Sequence, residues 1–219
     1  MKFTPEHEQI ADTVRKFVAN EINPHLPEWE KAGMFPAHEV FKKMGDLGLL
    51  GVKYPTEFGG LGLDFSYSMV VAEALGECNA GGVPMAIGVQ TDMCTPALAR
   101  FGGDALRHEF LAPSIAGDMV GCVGVSEAGG GSDVAALKTM ARKDGDDYII
   151  NGSKMWITNG NLADIAIVWA QTDDGIQGFV IEKGFAGYTA QEIHKKMSLR
   201  ASVTSALFFD NVRLPEANR

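Results

Sequence analysis

The sequence has few of the features that mark disulfide-bonded, nucleic-acid-binding or membrane proteins. Its three cysteines are widely spaced and form no Cys-x-x-Cys pair, which excludes a disulfide scaffold and a zinc ribbon. It has no lysine- or arginine-rich run, and 28 acidic against 19 basic residues give a net charge of -9, which disfavours phosphate binding along a nucleic acid. No apolar stretch approaches the roughly 20 residues that cross a bilayer. We therefore expect neither a nucleic acid nor a membrane as a partner.

The first residues, MKFTPEHEQIADTVRKF, have the pattern of an amphipathic helix rather than of a secretory or transit peptide. The lack of such a leader predicts a soluble protein of the bacterial cytoplasm. The mitochondrial matrix stays open as an alternative, because a mature mitochondrial protein would look the same.

Proline is distributed unevenly along the 219 residues. Eight of the nine prolines fall at or before Pro113, and the ninth is Pro215. Proline is favoured at helix starts and is barred from interior strands. The sequence therefore predicts an α+β multidomain fold, with an N-terminal α-helical domain over residues 1–117 and a small β-barrel domain over residues 118–219.

Local patterns agree with this division. Thr4 is placed to cap a helix with Pro5 at its first position, Pro36 opens a second helix that Gly48 ends, and Asp64 caps a third. Further helical pieces are predicted over residues 84–93, 96–101 and 104–111. Seven stretches of the second half, separated by turn signals, predict strands of a barrel or a sandwich: MVGCVGVSE, ALKTMARKDG, DYIINGSKMWITNG, DIAIVWAQ, GFVIEKG, YTAQEI and SALFFDNV.

Several familiar motifs are absent. His-Glu occurs three times, but no second histidine follows at the spacing of a zinc site, so we assign no metal ligand. GVSEA lacks the last glycine of a nucleophile elbow and is followed by a glycine run, which argues against a serine hydrolase. No GxGxxG or P-loop fingerprint is present.

Two stretches are harder to explain as plain structure. GVSEAGGGSD combines a strand end, two hydroxyls and a glycine run whose N–H groups could converge on a phosphate or pyrophosphate, although a simple β-turn would also suit it. KMWITNG places Trp156 on a strand before Thr158, where its ring could flank a planar heterocycle. An ordinary core position for Trp156 stays open.

Together these stretches are similar to those of the acyl-CoA dehydrogenase family of flavoproteins. GLLGVKYPTEFGGLGLD, FLAPSIAGDMVGCVGVSE and KMSLRASVTSALFFDNVRLPE extend the resemblance collinearly from Phe3 to Pro215. The family has a helical, a middle β and a second helical domain, and this sequence resembles the first two. We expect the third to be absent from the sequence and the general base to lie C-terminal to Arg219. No catalytic residue is therefore assigned, and Glu127 is taken as a signature residue rather than the base.

The resemblance implies FAD as the cofactor and assigns eight residues to its site. The segment from Val123 through Val125 to Ser132 would line the flavin, with Ser126 near the pyrimidine edge of the ring. Gly131 and Ser132 would lie near the pyrophosphate, and Ser132 would also bind the acyl-CoA substrate. On the second stretch, Trp156 would flank the isoalloxazine, Ile157 would contribute main chain, and Thr158 would hydrogen-bond near N5.

The implied activity is FAD-dependent α,β-dehydrogenation of an acyl-CoA to a trans-2-enoyl-CoA, as in fatty acid β-oxidation. An electron-transfer flavoprotein and a homo-oligomeric assembly are the implied partners. Glutaryl-CoA-specific members of the family place an arginine in the helix that lines the acyl pocket, and the corresponding residues here, 79–86, contain none. The resemblance therefore implies an apolar acyl chain near Val83, Met85 and Ile87 rather than a dicarboxylyl-CoA. A non-catalytic flavin- or acyl-CoA-binding fragment or subunit, and an acyl-CoA oxidase or flavin monooxygenase on the same scaffold, stay open as alternatives.

Overall fold

The computed structural model describes residues 3–219 and confirms a helical first half followed by a β domain. The α-helices are α1 Pro5–Phe17, α2 Leu26–Ala32, α3 Ala37–Asp46, α4 Phe65–Leu75, α5 Gly82–Gly88, α6 Thr95–Phe101, α7 Asp104–Leu106 and α8 Ala112–Ile115. The strands are β1 Gly121–Gly124, β2 Met140–Asp144, β3 Asp147–Thr158, β4 Ile165–Thr172, β5 Gly175–Glu182, β6 Tyr188–Glu192 and β7 Thr204–Pro215. Each of the seven predicted strands is present. The domain boundary at residues 117–118 falls between α8 and β1, and we keep it as a proposal.

Helix α1 begins where its sequence predicts. The backbone N–H of Thr4 donates to Nδ1 of His7 at 3.1 Å, and Pro5 occupies a first-turn position where its missing N–H costs no hydrogen bond. On the inner face, Val14 and Phe17 are buried in the core that α1 shares with α4. The predicted cap of α4 is also confirmed, because the Asp64 side chain accepts from the N–H of Ser66 at 2.8 Å.

Helix α2 was not predicted. A π-helical turn over Val18–Ile22 and a 3-10 turn over Asn23–His25 carry the chain from α1 directly into it. Pro24 lies in the 3-10 turn and Pro27 in the first turn of α2, where neither proline removes an intrahelical hydrogen bond. Two prolines that look like helix breakers therefore lie within one nearly continuous helical segment.

The β domain is a curled half-barrel built from one seven-stranded sheet. Its strand order is β1-β4-β2-β3-β7-β6, and β5, which lies off this path, also pairs with β4. Strand β1 runs parallel to β4, while the β2–β3, β3–β7, β4–β5 and β6–β7 pairs are antiparallel. This arrangement confirms the predicted fold class and selects a barrel-like sheet over a sandwich.

The two halves share a core and several buried hydrogen bonds. The side chain of Gln90, between α5 and α6, accepts from the N–H of Gly121 at 2.7 Å. After β3, the Asn159 amide donates to the Ala86 carbonyl at 3.1 Å. The helical half thus fixes the start of β1 and the end of β3. Within residues 3–219, no helix is long and apolar enough to span a membrane.

Candidate functional site

The glycine-rich stretch and the tryptophan stretch meet in the structure. The N–H of Met155 donates to the Ser126 carbonyl at 2.9 Å, which joins the chain after β1 to the middle of β3. The contact is made where β3 bulges, because its register with β7 shifts between Lys154 and Ile157. A β-bulge leaves extra residues outside the ladder and redirects their side chains, here Met155 and Trp156.

The glycine-rich loop offers free donors at the surface. Glu127 and Gly130 exchange backbone hydrogen bonds at 3.0 and 3.1 Å, which closes a tight turn. Among the hydrogen bonds of residues 3–219, none uses the N–H of Gly129, Gly131 or Ser132. A Cβ added at Gly129 or Gly131 would meet open space. Exposed, unpaired N–H groups on one loop are the donor set that binds a phosphate or pyrophosphate.

Trp156 is a surface residue rather than a core residue. The residue is 65% exposed, and its backbone has a φ of 65°, a left-handed conformation that is unusual for a bulky residue. The alternative of an ordinary core tryptophan is therefore wrong. The indole lies two residues beyond the buried Lys154, next to the contact between Met155 and Ser126.

The other predicted residues lie on the strands that flank this contact. Ile157 is buried in the β core, so its side chain is not available to a ligand. Thr158 is half-buried at the end of β3, opposite Thr204 of β7. Val123 on β1 and Val125 just after it are also half-buried. The structure thus gathers the predicted residues around one junction of two strands, and their roles stay a proposal.

A buried ion pair lies beneath the junction. Lys154 Nζ donates to Glu127 Oε1 at 2.9 Å and to the Val125 carbonyl at 3.1 Å, and none of the lysine side chain is exposed. Glu127 also accepts from the N–H groups of Lys138 and Thr139 at 2.7 and 2.9 Å, and from the Thr139 hydroxyl at 2.7 Å. The carboxylate therefore joins both ends of the glycine-rich loop to β3.

This environment fixes the ionisation of Glu127. Burial by itself would raise the pKa of Glu127, but the hydrogen bonds from Thr139, Lys154 and the main chain outweigh burial and lower the pKa to about 2. A general base of moderate strength needs a pKa much closer to neutral pH. Four hydrogen bonds, three to Oε1 and one to Oε2, also hold the carboxylate in place. The structure therefore supports a structural role for Glu127.

Lys154 and Thr139, which support the site through Glu127, were not predicted from the sequence. A usable signal was present, because Lys154 shares the strand parity of Tyr148 and Ile150, which are buried. A lysine on the inward face of a strand needs a buried partner, and Glu127 is the acid that the fold brings to it.

The suggested apolar lining near α5 is wrong in two of its three residues. Val83 and Ile87 are completely buried in the helical core and present no surface to a ligand. Met85, which is 47% exposed, is the one that faces outward. The alternation along residues 83–87 follows the helix period, so neighbouring apolar residues have different environments.

Comparison with known families agrees with this geometry. The model of the acyl-CoA dehydrogenase N-terminal domain matches residues 4–118, and the model of the family's middle domain matches residues 122–212. The chain belongs to the acyl-CoA dehydrogenase family. Both matched domains correspond to the two parts seen in the fold, the helical half and the curled half-barrel.

Individual acyl-CoA dehydrogenases share about a third of the sequence or more. Mitochondrial isovaleryl-CoA dehydrogenase from Pongo abelii is 35% identical over 97% of this chain and 52% of its own length. Short-chain specific acyl-CoA dehydrogenase from Clostridium acetobutylicum is 36% identical over 98% of this chain and 58% of its own length. Glutaryl-CoA dehydrogenase from Mycobacterium smegmatis in complex with FADH2 is 42% identical, with a TM-score of 0.94 over 99% of this chain and 55% of its own. The chain therefore spans about half the length of the relatives that it matches.

Acyl-CoA dehydrogenases are FAD-dependent flavoproteins. The described residues fit such a cofactor in two respects. The free N–H groups of Gly129, Gly131 and Ser132 suit a pyrophosphate, and the exposed indole of Trp156 offers an aromatic face or edge to a planar ring. The contact between Met155 and Ser126 holds these two features together.

Proposed function

We propose that the protein binds FAD at this junction and takes part in α,β-dehydrogenation of an acyl-CoA thioester to a trans-2-enoyl-CoA. The observation that carries the proposal is the hydrogen bond between Met155 N–H and the Ser126 carbonyl, because it joins the two stretches on which flavin binding depends. Membership of the family and the similarity to an FADH2-bound relative support it.

In this proposal the residues of the chain bind and orient the cofactor, and FAD supplies the acceptor for the hydride. The N–H groups of Gly131 and Ser132 would hold the pyrophosphate, and Ser126 would donate to the pyrimidine edge of the ring. Trp156 would lie beside the ring system and Thr158 would donate near N5, so these residues would orient the cofactor. Ser132 also contacts the acyl-CoA.

The substrate proposed is an acyl-CoA with an apolar acyl chain. Residues 79–86 contain no arginine, so a distal carboxylate buried beside α5 would have no charged partner there. Of the apolar residues in this stretch, Met85 has the exposure that a contact with such a chain requires. We assign the general base to no residue of the described chain.

An electron-transfer flavoprotein is the proposed electron acceptor, and a homo-oligomer is the proposed assembly. The exposed position of Trp156 suits a route for electrons at the protein surface. A role in fatty acid β-oxidation in the bacterial cytoplasm, or alternatively in the mitochondrial matrix, belongs to the same proposal.

The test is an absorbance spectrum of the purified protein after addition of FAD, followed by anaerobic octanoyl-CoA. We expect a bound-flavin spectrum that bleaches with octanoyl-CoA but not with glutaryl-CoA. Absence of any flavin binding would refute the proposal, and equal bleaching by glutaryl-CoA would refute its apolar substrate.

The alternative is a flavin- or acyl-CoA-binding module without turnover, which would give bound flavin that no acyl-CoA bleaches. Hydrogen peroxide formed under air would instead identify an acyl-CoA oxidase.

A further inference from the structure

Lys154 is a charged residue in a place that normally holds an apolar one. It lies on β3 between the buried Ile150 and Ile157, and only 1% of the residue is accessible. Burying an ammonium group is unfavourable unless it is paired and hydrogen-bonded. The hydrogen bonds of the Lys154 ammonium group go to the chain that follows β1. They are accepted by the Val125 carbonyl and by the Glu127 carboxylate.

The space for this lysine is made by a glycine. A Cβ added to Gly124 would lie 3.2 Å from Lys154 Cγ and 3.4 Å from Val168 Cγ2. Gly124 therefore lets the aliphatic part of the lysine pass beneath the end of β1 and reach the loop. The arrangement is specific to this junction, because β1 has no other contact with a buried charge among the described residues.

The loop depends on these side chains, since its own backbone hydrogen bonds are few. Between β1 and β2 they comprise the reciprocal pair of Glu127 and Gly130 and two bonds within the short turn at residues 133–137. Glu127 supplies the long connections, by accepting from Lys138 and Thr139 at the far end of the loop. Lys154 then connects this carboxylate to β3, next to the N–H of Met155.

We propose that Lys154 is a positioning residue, which acts through Glu127 and the Val125 carbonyl to hold the glycine-rich loop against the Trp156 bulge in the geometry that binds FAD. The inference rests on the proposed flavin site. It assigns the buried ion pair a task in cofactor binding rather than in stability alone.

The main experiment compares Lys154→Met with Lys143→Met. Both changes replace a lysine of the β domain by the same apolar residue, but Lys143 is exposed and pairs with Glu216 on the surface at 3.0 Å. Two quantities are measured: the exchange rate of the Met155 amide hydrogen in the protein without FAD, and the Kd for FAD by flavin fluorescence. For Lys154→Met we expect at least tenfold faster Met155 exchange and at least a tenfold higher Kd, because hydrogen bonds to buried charged groups are strong. Lys143→Met should change each by less than twofold.

A purely structural role is tested with Val212→Ala, a cavity variant at a fully buried position of β7. If Val212→Ala and Lys154→Met lower the free energy of unfolding equally and also raise the Kd equally, the positioning role is overturned. If Lys154→Met fails to fold, Thr139→Val decides, because it removes one donor to Glu127 while keeping the shape of the side chain. Unchanged Met155 exchange and Kd in Thr139→Val would then overturn the proposal.

The two proposals fail separately. Exchange of the Met155 amide hydrogen is measured without FAD. It therefore tests the hydrogen bond between Met155 and the Ser126 carbonyl whether or not the cofactor binds. A wild-type protein that binds no FAD refutes the proposed function. A wild-type protein that binds FAD, together with a Lys154→Met variant of equal affinity, refutes only the positioning role.

Discussion

Glu127→Gln should make the stability of this protein less sensitive to acid. The pKa of Glu127 is lowered from 4.5 to about 2 in the folded state, because its hydrogen bonds to Thr139, Lys154 and the main chain outweigh the effect of burial. A carboxyl with a depressed folded pKa stabilises the protein above its unfolded pKa, near 4.5. That contribution is lost as the pH falls through the folded pKa, near 2.

The size of the effect follows from the shift. Each pKa unit corresponds to about 1.4 kcal/mol, so the full contribution is about 3 kcal/mol at neutral pH. The Glu127 side chain is 11% exposed, so solvent screening reduces this value only modestly. Linkage places roughly 2 kcal/mol of the loss between pH 5 and pH 3, where an unfolded glutamate takes up its proton and the folded one does not.

The assay is urea unfolding followed by far-ultraviolet circular dichroism at half-unit steps from pH 7 to pH 3. Glutamine also leaves Lys154 without its anionic partner, so the variant is expected to be less stable at every pH. The informative quantity is therefore the slope of the free energy of unfolding against pH, which should be shallower in Glu127→Gln than in the wild type. Glu216→Gln is the matched control, because Glu216 forms an exposed pair with Lys143 and such pairs contribute about 0–1 kcal/mol.

Equal slopes in the wild type and in Glu127→Gln would contradict a lowered pKa of Glu127 in the folded protein. That result would mean that Glu127 exchanges its proton in the folded protein much as it does in the unfolded chain. The hydrogen bonds of the carboxylate would then be absent in solution, and the glycine-rich loop would not be held as described.

Two further predictions concern the backbone around the site. Trp156→Gly should raise the free energy of unfolding by up to about 1 kcal/mol in urea unfolding, because glycine adopts a φ of 65° without strain. The same change should weaken FAD binding about tenfold in a fluorescence titration. Unchanged FAD affinity would contradict the role of the indole. Gly160→Ala should lower stability by about 1–3 kcal/mol, because the new Cβ would lie 2.8 Å from Ser205 Cβ. Gly103→Ala, where a Cβ meets nothing within 4 Å, is its control, and equal urea midpoints for the two variants would show that the close approach is absent.

Local patterns in the sequence were sufficient for most of the secondary structure. Caps such as Thr4 and Asp64 act within a few residues of their helix, and the strands are bounded by turn residues of known preference, so both can be predicted without a fold. Helix α2 was missed because Pro24 and Pro27 stop a helix in some positions and are tolerated in others. Which case applies depends on the turn geometry that packing against the core selects.

The two stretches of the proposed site could be singled out in the sequence, but the way in which they meet could not. The glycine-rich and tryptophan stretches could be singled out because their composition is unusual and because they resemble a known family. Their contact through Met155 and Ser126 depends on a bulge between Lys154 and Ile157, and such a register shift is set by the partner strand β7. The same bulge turns Trp156 outward.

From the sequence alone it follows that helices precede strands and that two glycine-bearing stretches of unusual composition lie in the β half. Which apolar residues of α5 are buried, and which acid neutralises the inward lysine of β3, depends on the tertiary structure. Those outcomes depend on contacts between residues distant in the chain, such as Glu127 and Lys154, which are 27 positions apart. The cost of burying an unpaired charge then makes that distant contact obligatory.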